Sequence, residues 1–393
     1  MLGRKIQIRV GVLLALLWSA SQADMLACRA QAAEQTTAAN EQSQDAQKSG
    51  DEDRIQGVWL MTSSETNTRK ARGKNLDGLA QMVVVFERDK VIMYQKAAKI
   101  GTEGGYKLYP DKQPKVIDLG VPTPDGAGEV TVKGIYRLDG NKLTLCMSTG
   151  PGSKEPKDFT TPAGSGIRLL ELERDTLGKN PRAVVELAKS TAAHQKSANR
   201  LQRLASAMLR YRDTYGRFPA AAVYAGDKPL LSWRVAILPF LGEEALYRQF
   251  KLDEPWDSQH NRKLLEQMPK VYEPAGDVKT REAYTTFDQV FTGAGTVFNG
   301  AEGLRSVDLR DAPANTFLIV EAGGAVPWTK PDDLPYSASK ELPELGGLFK
   351  DGFHAAFCDG SVRLIPRKVK EPILRALITL HGADAIDLDE LNR

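Results

Sequence analysis

Between Arg54 and Arg174 apolar and polar residues alternate in short runs: "VWLMTS", "MVVVFE", "KVIMYQ", "KVIDLG", "EVTVKGIYRL", "KLTLCM" and "IRLLELER". Gly, Pro and Asp clusters separate them, and a period of two bounded by turn residues predicts β-strands. The clearest unit is "IYRLDGNKLTLC". With Gly140-Asn141 as a two-residue loop, Leu138 faces Leu143 and Tyr136 faces Leu145 on an apolar side, while Arg137, Asp139, Lys142 and Thr144 take the other. One dry and one wet face suits an antiparallel sheet, and this strand spacing predicts a small barrel or sandwich. The glycine-rich stretches "GTEGG" (Gly101 to Gly105) and "GAGTVFNGAEG" (Gly293 to Gly303) fit no strand–loop–helix phosphate cradle and read as turns.

Further on the period changes. Asn180 is a good N-cap and Pro181 sits at the favoured first helical position. Leu201, Leu204, Ala205, Met208, Tyr211, Arg212 and Tyr215 recur at helical spacing, Gly216 supplies a stop, and Pro219 lies just beyond. A continuous helix from Arg182 to Tyr215 would be about 50 Å long at 1.5 Å per residue. A break near "STAAHQKS" is the alternative. Its first half carries Glu186, Lys189, His194 and Lys196, so it cannot be a membrane-embedded stem, which needs about 20 apolar residues.

The N-terminus has the pattern of an export signal. Arg4, Lys5 and Arg9 precede the apolar run "VGVLLALLWSA", too short for a stable span but suited to a signal peptide. Cleavage is expected after Ala23 or Ala32; an uncleaved anchor is the alternative reading. Lipidation at Cys28 is a minor one, since Asp24 interrupts the apolar run before it. Residues 33–53 are small, polar and aperiodic, which predicts a flexible leader.

Charge narrows the function classes. Lys and Arg number 53 against 50 Asp and Glu, a balance that argues against a nucleic-acid binder. Four histidines and three cysteines, without C-x-x-C or H-E-x-x-H spacing, leave little for a zinc site. Cys146 and Cys358 fall in different expected domains and read as small buried hydrophobes. No G-x-S-x-G, P-loop or dinucleotide fingerprint occurs.

Two stretches hold candidate chemistry. "DGFHAAFCDGSVRLI" packs His354, Cys358, Asp359 and Ser361 together. Asp359-Gly360 as a two-residue turn pairs Cys358 with Ser361, Phe357 with Val362, Ala356 with Arg363 and His354 with Ile365. That puts Phe353, Ala355, Phe357, Val362 and Leu364 on a core face and gives Asp359 a positive φ. His354 and Cys358 would then stand about 13 Å apart at ~3.3 Å per residue, beyond any Cys-His dyad. The second stretch, "DEPWDSQHN", offers Asp253, Glu254, Asp257, His260 and Asn261 as oxygen-rich calcium candidates. The favoured reading is that Asp257 or Ser258 caps a short helix while Trp256 anchors the loop.

Resemblances carry the reading further. "IQGVWLMTSSE", "GGYKLYPDKQPKVIDL", "GIYRLDGNKLTLCMS" and "GSGIRLLELER" together resemble a lipocalin-like β-barrel domain widespread in planctomycete proteins of unknown function. Gly57 and Trp59 are similar to the G-x-W start of such barrels, which implies that the Trp closes one end. From about Ala198 onward, "YRDTYGRFPAA", "LLSWRVAILPFLGEEALYRQFKLDEPWDSQHNRKLLEQMP", "AVPWTKPDDLPY" and "GFHAAFCDGSVRLI" resemble a planctomycete pseudopilin-like domain of unknown function. The prepilin signal of typical members is missing, and "LRDAPANTFLIVEA" departs from their D-G-x-S-N-T while keeping Asp311, Asn315 and Glu321.

The expected protein is α+β. Residues 1–32 are a signal peptide, 33–53 a flexible polar leader and 54–176 a lipocalin-like antiparallel β-barrel. Residues 177–393 are a long helix packed on an antiparallel sheet in a pseudopilin-like domain. No catalytic, cofactor-binding or metal-ligating residue is assigned. The function expected is that of an exported, non-enzymatic cell-envelope protein, in the periplasm or at the surface. Its partners would be other envelope proteins or a surface polymer, with no nucleic acid and no transmembrane segment in the mature chain. The alternatives are a carrier using the barrel interior, a calcium-stabilised adhesive or secretion module, and a hydrolase assembled from distant residues.

Overall fold

The computed structural model describes residues 50–380 except 68, 73–81, 96–99, 124–127, 151–152, 176–180, 277, 279 and 310–312. The signal segment, Cys28 and Asp311 therefore lie outside the described residues. The chain is α+β: a closed antiparallel barrel, one long helix and further sheets.

The barrel comprises β1 (Gly57–Thr66), β3 (Met82–Glu87), β4 (Lys90–Gln95), β5 (Ile100–Tyr109), β6 (Val116–Pro122), β7 (Glu129–Asp139), β8 (Lys142–Ser148) and β9 (Ile167–Arg174). Each pairs with its neighbour, and β9 closes the ring on β1; a short β2 (Arg69–Arg72) pairs with the end of β1. Closure removes the exposed edges that an open sheet would present. The Gly140-Asn141 loop holds Leu138 opposite Leu143 and Tyr136 opposite Leu145, with Gly140 at φ +54°.

Inward positions carry Trp59, Met61, Phe86, Ile117, Tyr136 and Leu143, which pack into one core that occupies the interior. Burial of each large apolar side chain contributes roughly 1.5–3 kcal/mol. A helical turn at 50–55 lies under one end, where Ile55 is buried and its carbonyl accepts the Trp59 indole N–H at 2.7 Å. Asp51 in that turn accepts from the Tyr136 hydroxyl and the Lys115 ammonium, each at 2.7 Å. Residues 50–53, expected within a flexible leader, are thus part of the barrel's closed end.

β5 corrects the sequence reading of Gly101 to Gly105 as a turn. These glycines lie within the strand because their missing side chains admit neighbours. A Cβ on Gly101 would come within 2.6 Å of the Ala192 backbone nitrogen, and one on Gly104 would collide with the Gly120 carbonyl.

Helix α1 (Pro181–Tyr215) is unbroken and ends as Gly216 takes φ +73°, its N–H bonding back to the Arg212 carbonyl. At 1.5 Å per residue its 35 residues span about 52 Å. Its polar first half docks on the outside of the barrel, with Val184, Val185, Ala188 and Ala192 packed against Val58, Val83, Val85, Ile92 and Tyr94. Its second half packs through Leu201, Leu204, Ala205 and Met208 onto the second core. Among the described residues no helix is long and apolar enough to cross a membrane.

The second core lies against an antiparallel sheet of order β12 (Thr285–Gln289), β14 (Phe317–Pro327), β16 (Gly352–Phe357), β17 (Val362–Pro366). A hairpin of β10 (Ala222–Ala225) and β11 (Lys228–Ser232) and the two-residue strands β13 (Phe291–Thr292) and β15 (Leu334–Pro335) flank it. Helix α2 (Glu371–Ile378) covers the far face through Leu377 and Ile378. All of β16 is buried, because α1 lies on one of its faces and α2 on the other.

Candidate functional site

Where α1 crosses the sheet, five polar residues face one another in an otherwise apolar layer. The β12–β14 register sets Asp288 directly opposite Glu321. Two carboxylates in such a pair repel, and both are fully buried. Arg200 reaches down from α1 between them, 2.9 Å from Asp288 Oδ2 and 3.1 Å from Glu321 Oε1. It also donates to the Glu273 carbonyl at 3.1 Å. Ser197, one helical turn earlier, donates its hydroxyl to Glu321 Oε1 and accepts from Arg200 at 3.1 Å. On the other side Glu321 Oε2 accepts the His354 backbone N–H at 2.8 Å and lies 3.2 Å from that ring's Nδ1.

The two acids respond differently to the same burial. Asp288 is pushed up to about 6 by desolvation, which outweighs Arg200 because Glu321 competes for that guanidinium. Burial works on Glu321 as well. The His354 hydrogen bond and the Arg200 charge overcome it and hold that carboxyl below the ordinary range.

Toward the surface the group continues through rings. His354 meets His194 at a centroid distance of 5.1 Å, and His194 stacks on Phe349 at 3.9 Å. His194 Nε2 points to Asp351, 3.3 Å away and largely exposed. Burial lowers the His194 pKa, so its ring is neutral at pH 7, and its Nδ1 has no partner. A second buried ion pair braces the sheet end: Arg234 donates to the Asp288 carbonyl at 2.9 Å and pairs with Asp333 at 3.0 Å.

This geometry is not that of a nucleophile and its base. In a Ser-His-acid triad the imidazole stands between hydroxyl and carboxylate. Here the Glu321 carboxylate occupies the middle, bonded to Ser197 on one side and His354 on the other. The serine hydroxyl donates its hydrogen bond to a carboxylate and not to an imidazole base, and Ser197 is fully buried. What the set does is join α1 to β12, β14 and β16 with charge-assisted bonds.

The sequence-singled residues are distributed as follows. His354 enters the group, whereas Cys358 sits at the other end of the β16 hairpin, buried, its N–H bonded to the Thr316 carbonyl at 3.0 Å. The hairpin register differs from the expected one: Ala356 pairs with Val362, Ala355 with Arg363, His354 with Leu364 and Phe353 with Ile365. The loop holds three residues, since the Phe357 N–H bonds to the Ser361 carbonyl at 2.8 Å and only Gly360 takes positive φ, at +88°. Asp359 instead accepts the Ser361 N–H and hydroxyl at 2.8 and 2.6 Å. A one-residue slip moves every β17 side chain to the opposite face. Ile365 therefore joins Phe353, Ala355 and Phe357 in the core, and Leu364 is exposed.

In the 253–261 loop the organiser is Asn261. Fully buried, it accepts the Lys251 N–H at 3.0 Å and donates to the carbonyls of Lys251, Glu254 and Pro255. Ser258 Oγ accepts the Asn261 N–H at 3.1 Å, where a 3-10 helix over Asn261–Gln267 begins. Glu254 pairs with Lys251. Among the described residues no group of three or more His, Cys, Asp or Glu is placed to hold a metal ion. Asn315 lies in a short 3-10 turn and Glu321 in β14, while Asp311 lies outside the described residues.

Arg200, Ser197 and Asp288 escaped the sequence reading. The one sequence signal in the group is Glu321, the lone charge in the apolar run "FLIVEA"; Arg200 and Asp288 have polar neighbours, "ANRLQR" and "TTFDQVF", that hide them.

Residues 188–334, which contain most of this group, match a family model described as "Protein of unknown function (DUF1559)". No curated protein and no solved structure matches the chain.

Proposed function

We propose that this is an exported, non-enzymatic cell-envelope protein whose role is binding or assembly, acting in the periplasm or at the cell surface. On this reading the barrel is lipocalin-like, the helix and sheet form a soluble pseudopilin-like unit, and both belong to planctomycete-type families. The observation that carries it is the fate of the ionisable residues. Arg200, Asp288, Glu321 and His354 converge, but they are buried and bonded to one another and not aimed at a substrate. They fasten the second half of α1 to the sheet while its first half packs on the barrel through apolar contacts, as suits a rigid two-part scaffold that presents surfaces. The filled barrel interior favours display over carriage of a ligand within it.

In-cell crosslinking with fractionation tests this. The expected result is a chain shortened at its N-terminus, recovered with the envelope and crosslinked to envelope proteins. Recovery of the full-length chain in the cytoplasm, or hydrolytic activity abolished by Glu321→Gln in a folded variant, would overturn it.

A further inference from the structure

Beside the second core, against which Trp256 packs, three segments meet in an open cleft of about 380 Å³. Small-ligand clefts begin at roughly this size, about 300 Å³. Its floor is the half-buried Trp256, ringed by Pro229, Pro255 and Pro331. The charged lining is Lys228 and Asp257 on one pair of segments and Lys330 with Asp332 on the third. We propose that this cleft is a saccharide-binding site, with a sugar ring stacked on Trp256 and its hydroxyls held by Asp257 and Lys228.

Three observations lead to that chemistry. The first is charge. Lys330 pairs with Asp332 at 2.7 Å while its ammonium lies over one face of the Trp256 ring, 5.9 Å from the centroid, which leaves the opposite face for a sugar; the other two charged linings cancel formally, so the site favours neither an anion nor a cation. The second is available valence. The side chains of Asp257 and Lys228 have no hydrogen-bond or ion-pair partner among the described residues. A carboxylate offers only acceptors and an ammonium only donors. A hydroxyl serves both, and a sugar supplies several on a body whose C–H face is apolar enough to cover an indole.

The third observation is preorganisation. The backbone N–H of Trp256 bonds to the Leu230 carbonyl at 2.8 Å, and that of Ser232 to the Thr329 carbonyl at 3.0 Å. Asn261 clamps the 251–255 backbone from within. All three walls are thus fixed before a ligand arrives, which lowers the ordering cost of binding. A proline-rich peptide is the other occupant an aromatic cleft suggests, yet grooves for extended peptides are lined by several aromatic residues. Trp256 is the single aromatic side chain in this lining. This inference goes beyond the assembly reading and stands or falls without it.

The test is 19F NMR of the full chain labelled with 5-fluorotryptophan, its Trp256 signal assigned by Trp256→Phe. Cellobiose, maltose and N,N′-diacetylchitobiose are titrated separately, then decaproline. At least one disaccharide should move the Trp256 resonance saturably, with a Kd of about 1 mM or tighter. The other tryptophan signals should stay in place. Asp257→Asn and Lys228→Met, both at exposed positions, should keep the melting temperature and weaken binding by about ten-fold. No shift with any of the three sugars at ten times that concentration would overturn the proposal. So would affinity unchanged in both variants, or a Trp256 response to decaproline alone.

Discussion

Glu321 accepts the backbone N–H of His354 at 2.8 Å and lies 3.2 Å from that residue's ring Nδ1, so one carboxylate oxygen holds β16 twice. Its other oxygen takes Ser197 and Arg200 from the helix. All the acceptor positions of the carboxylate are therefore in use. An amide in its place must turn an NH2 group toward either the His354 N–H or the Arg200 guanidinium, donor against donor. Breaking one member out of a buried charged set costs about 3–5 kcal/mol. Glu321→Gln should lower stability by that order in urea unfolding followed by circular dichroism. Glu244→Gln breaks the exposed pair with Arg248 and should cost less than about 0.5 kcal/mol. Equal costs for the two variants would refute the assignment of Glu321 as the joint.

The junction between helix and barrel makes a second prediction. Gly101 lies so close to α1 that a methyl group would meet the Ala192 backbone at 2.6 Å, and neither backbone can yield locally. Gly105, in the same strand, has only the Asp89 carbonyl at 3.8 Å, an ordinary contact. Gly101→Ala should therefore lower the melting temperature by several degrees, consistent with an overpacking cost of about 1–3 kcal/mol. Gly105→Ala should change it little.

Those glycines show what a linear pattern hides. The hairpin around Gly140-Asn141 was legible because its turn and its alternation lie within a dozen neighbouring residues. β5 was not, because Gly101 makes room for a helix some ninety residues later, at Ala192, and Gly104 for the Gly120 carbonyl of β6. The β16–β17 turn was found but its register was not. Asp-Gly fits both a two-residue loop and a three-residue loop with glycine in the left-handed position. The choice is made by Thr316 and Pro313, whose carbonyls take the N–H groups of Cys358 and Asp359. The candidate site is the extreme case. Ser197, Arg200, Asp288, Glu321 and His354 come from four elements, and only packing of the helix on the sheet brings them together.

Cysteine reactivity offers a third check. Both Cys146 and Cys358 are free and buried, in the barrel wall and the second core respectively. Burial pushes the Cys146 thiol up to about 11 and raises that of Cys358 as well. The thiolate is the reacting form, so at pH 8 both should be inert to a disulfide reagent. A Cys28→Ser protein should release no colour with that reagent while folded and two equivalents in urea. Rapid labelling of Cys358 in the folded protein would mean that its end of the hairpin opens.

The last prediction concerns pH and follows from Asp288. Its folded value of about 6 stands above the 3.8 of an ordinary Asp, so between those values the folded chain binds the extra proton. Stability then rises as pH falls through that window, and the charged form works against the fold at neutral pH. Two groups oppose it. His194, lowered by burial, favours the fold as pH rises toward 6.5. Glu321, held low, adds stability above its unfolded value that is lost as pH falls through its folded one. The difference between wild type and Asp288→Asn isolates the term, because the variant keeps His194 and Glu321 but cannot take up this proton. From pH 8 to pH 4 the melting temperature of the wild type should gain on that of the variant, with most of the gain between about pH 6 and 4. A gap that stays constant, or widens toward high pH in favour of the wild type, would mean that Arg200 keeps Asp288 charged and that Glu321 does not compete for it.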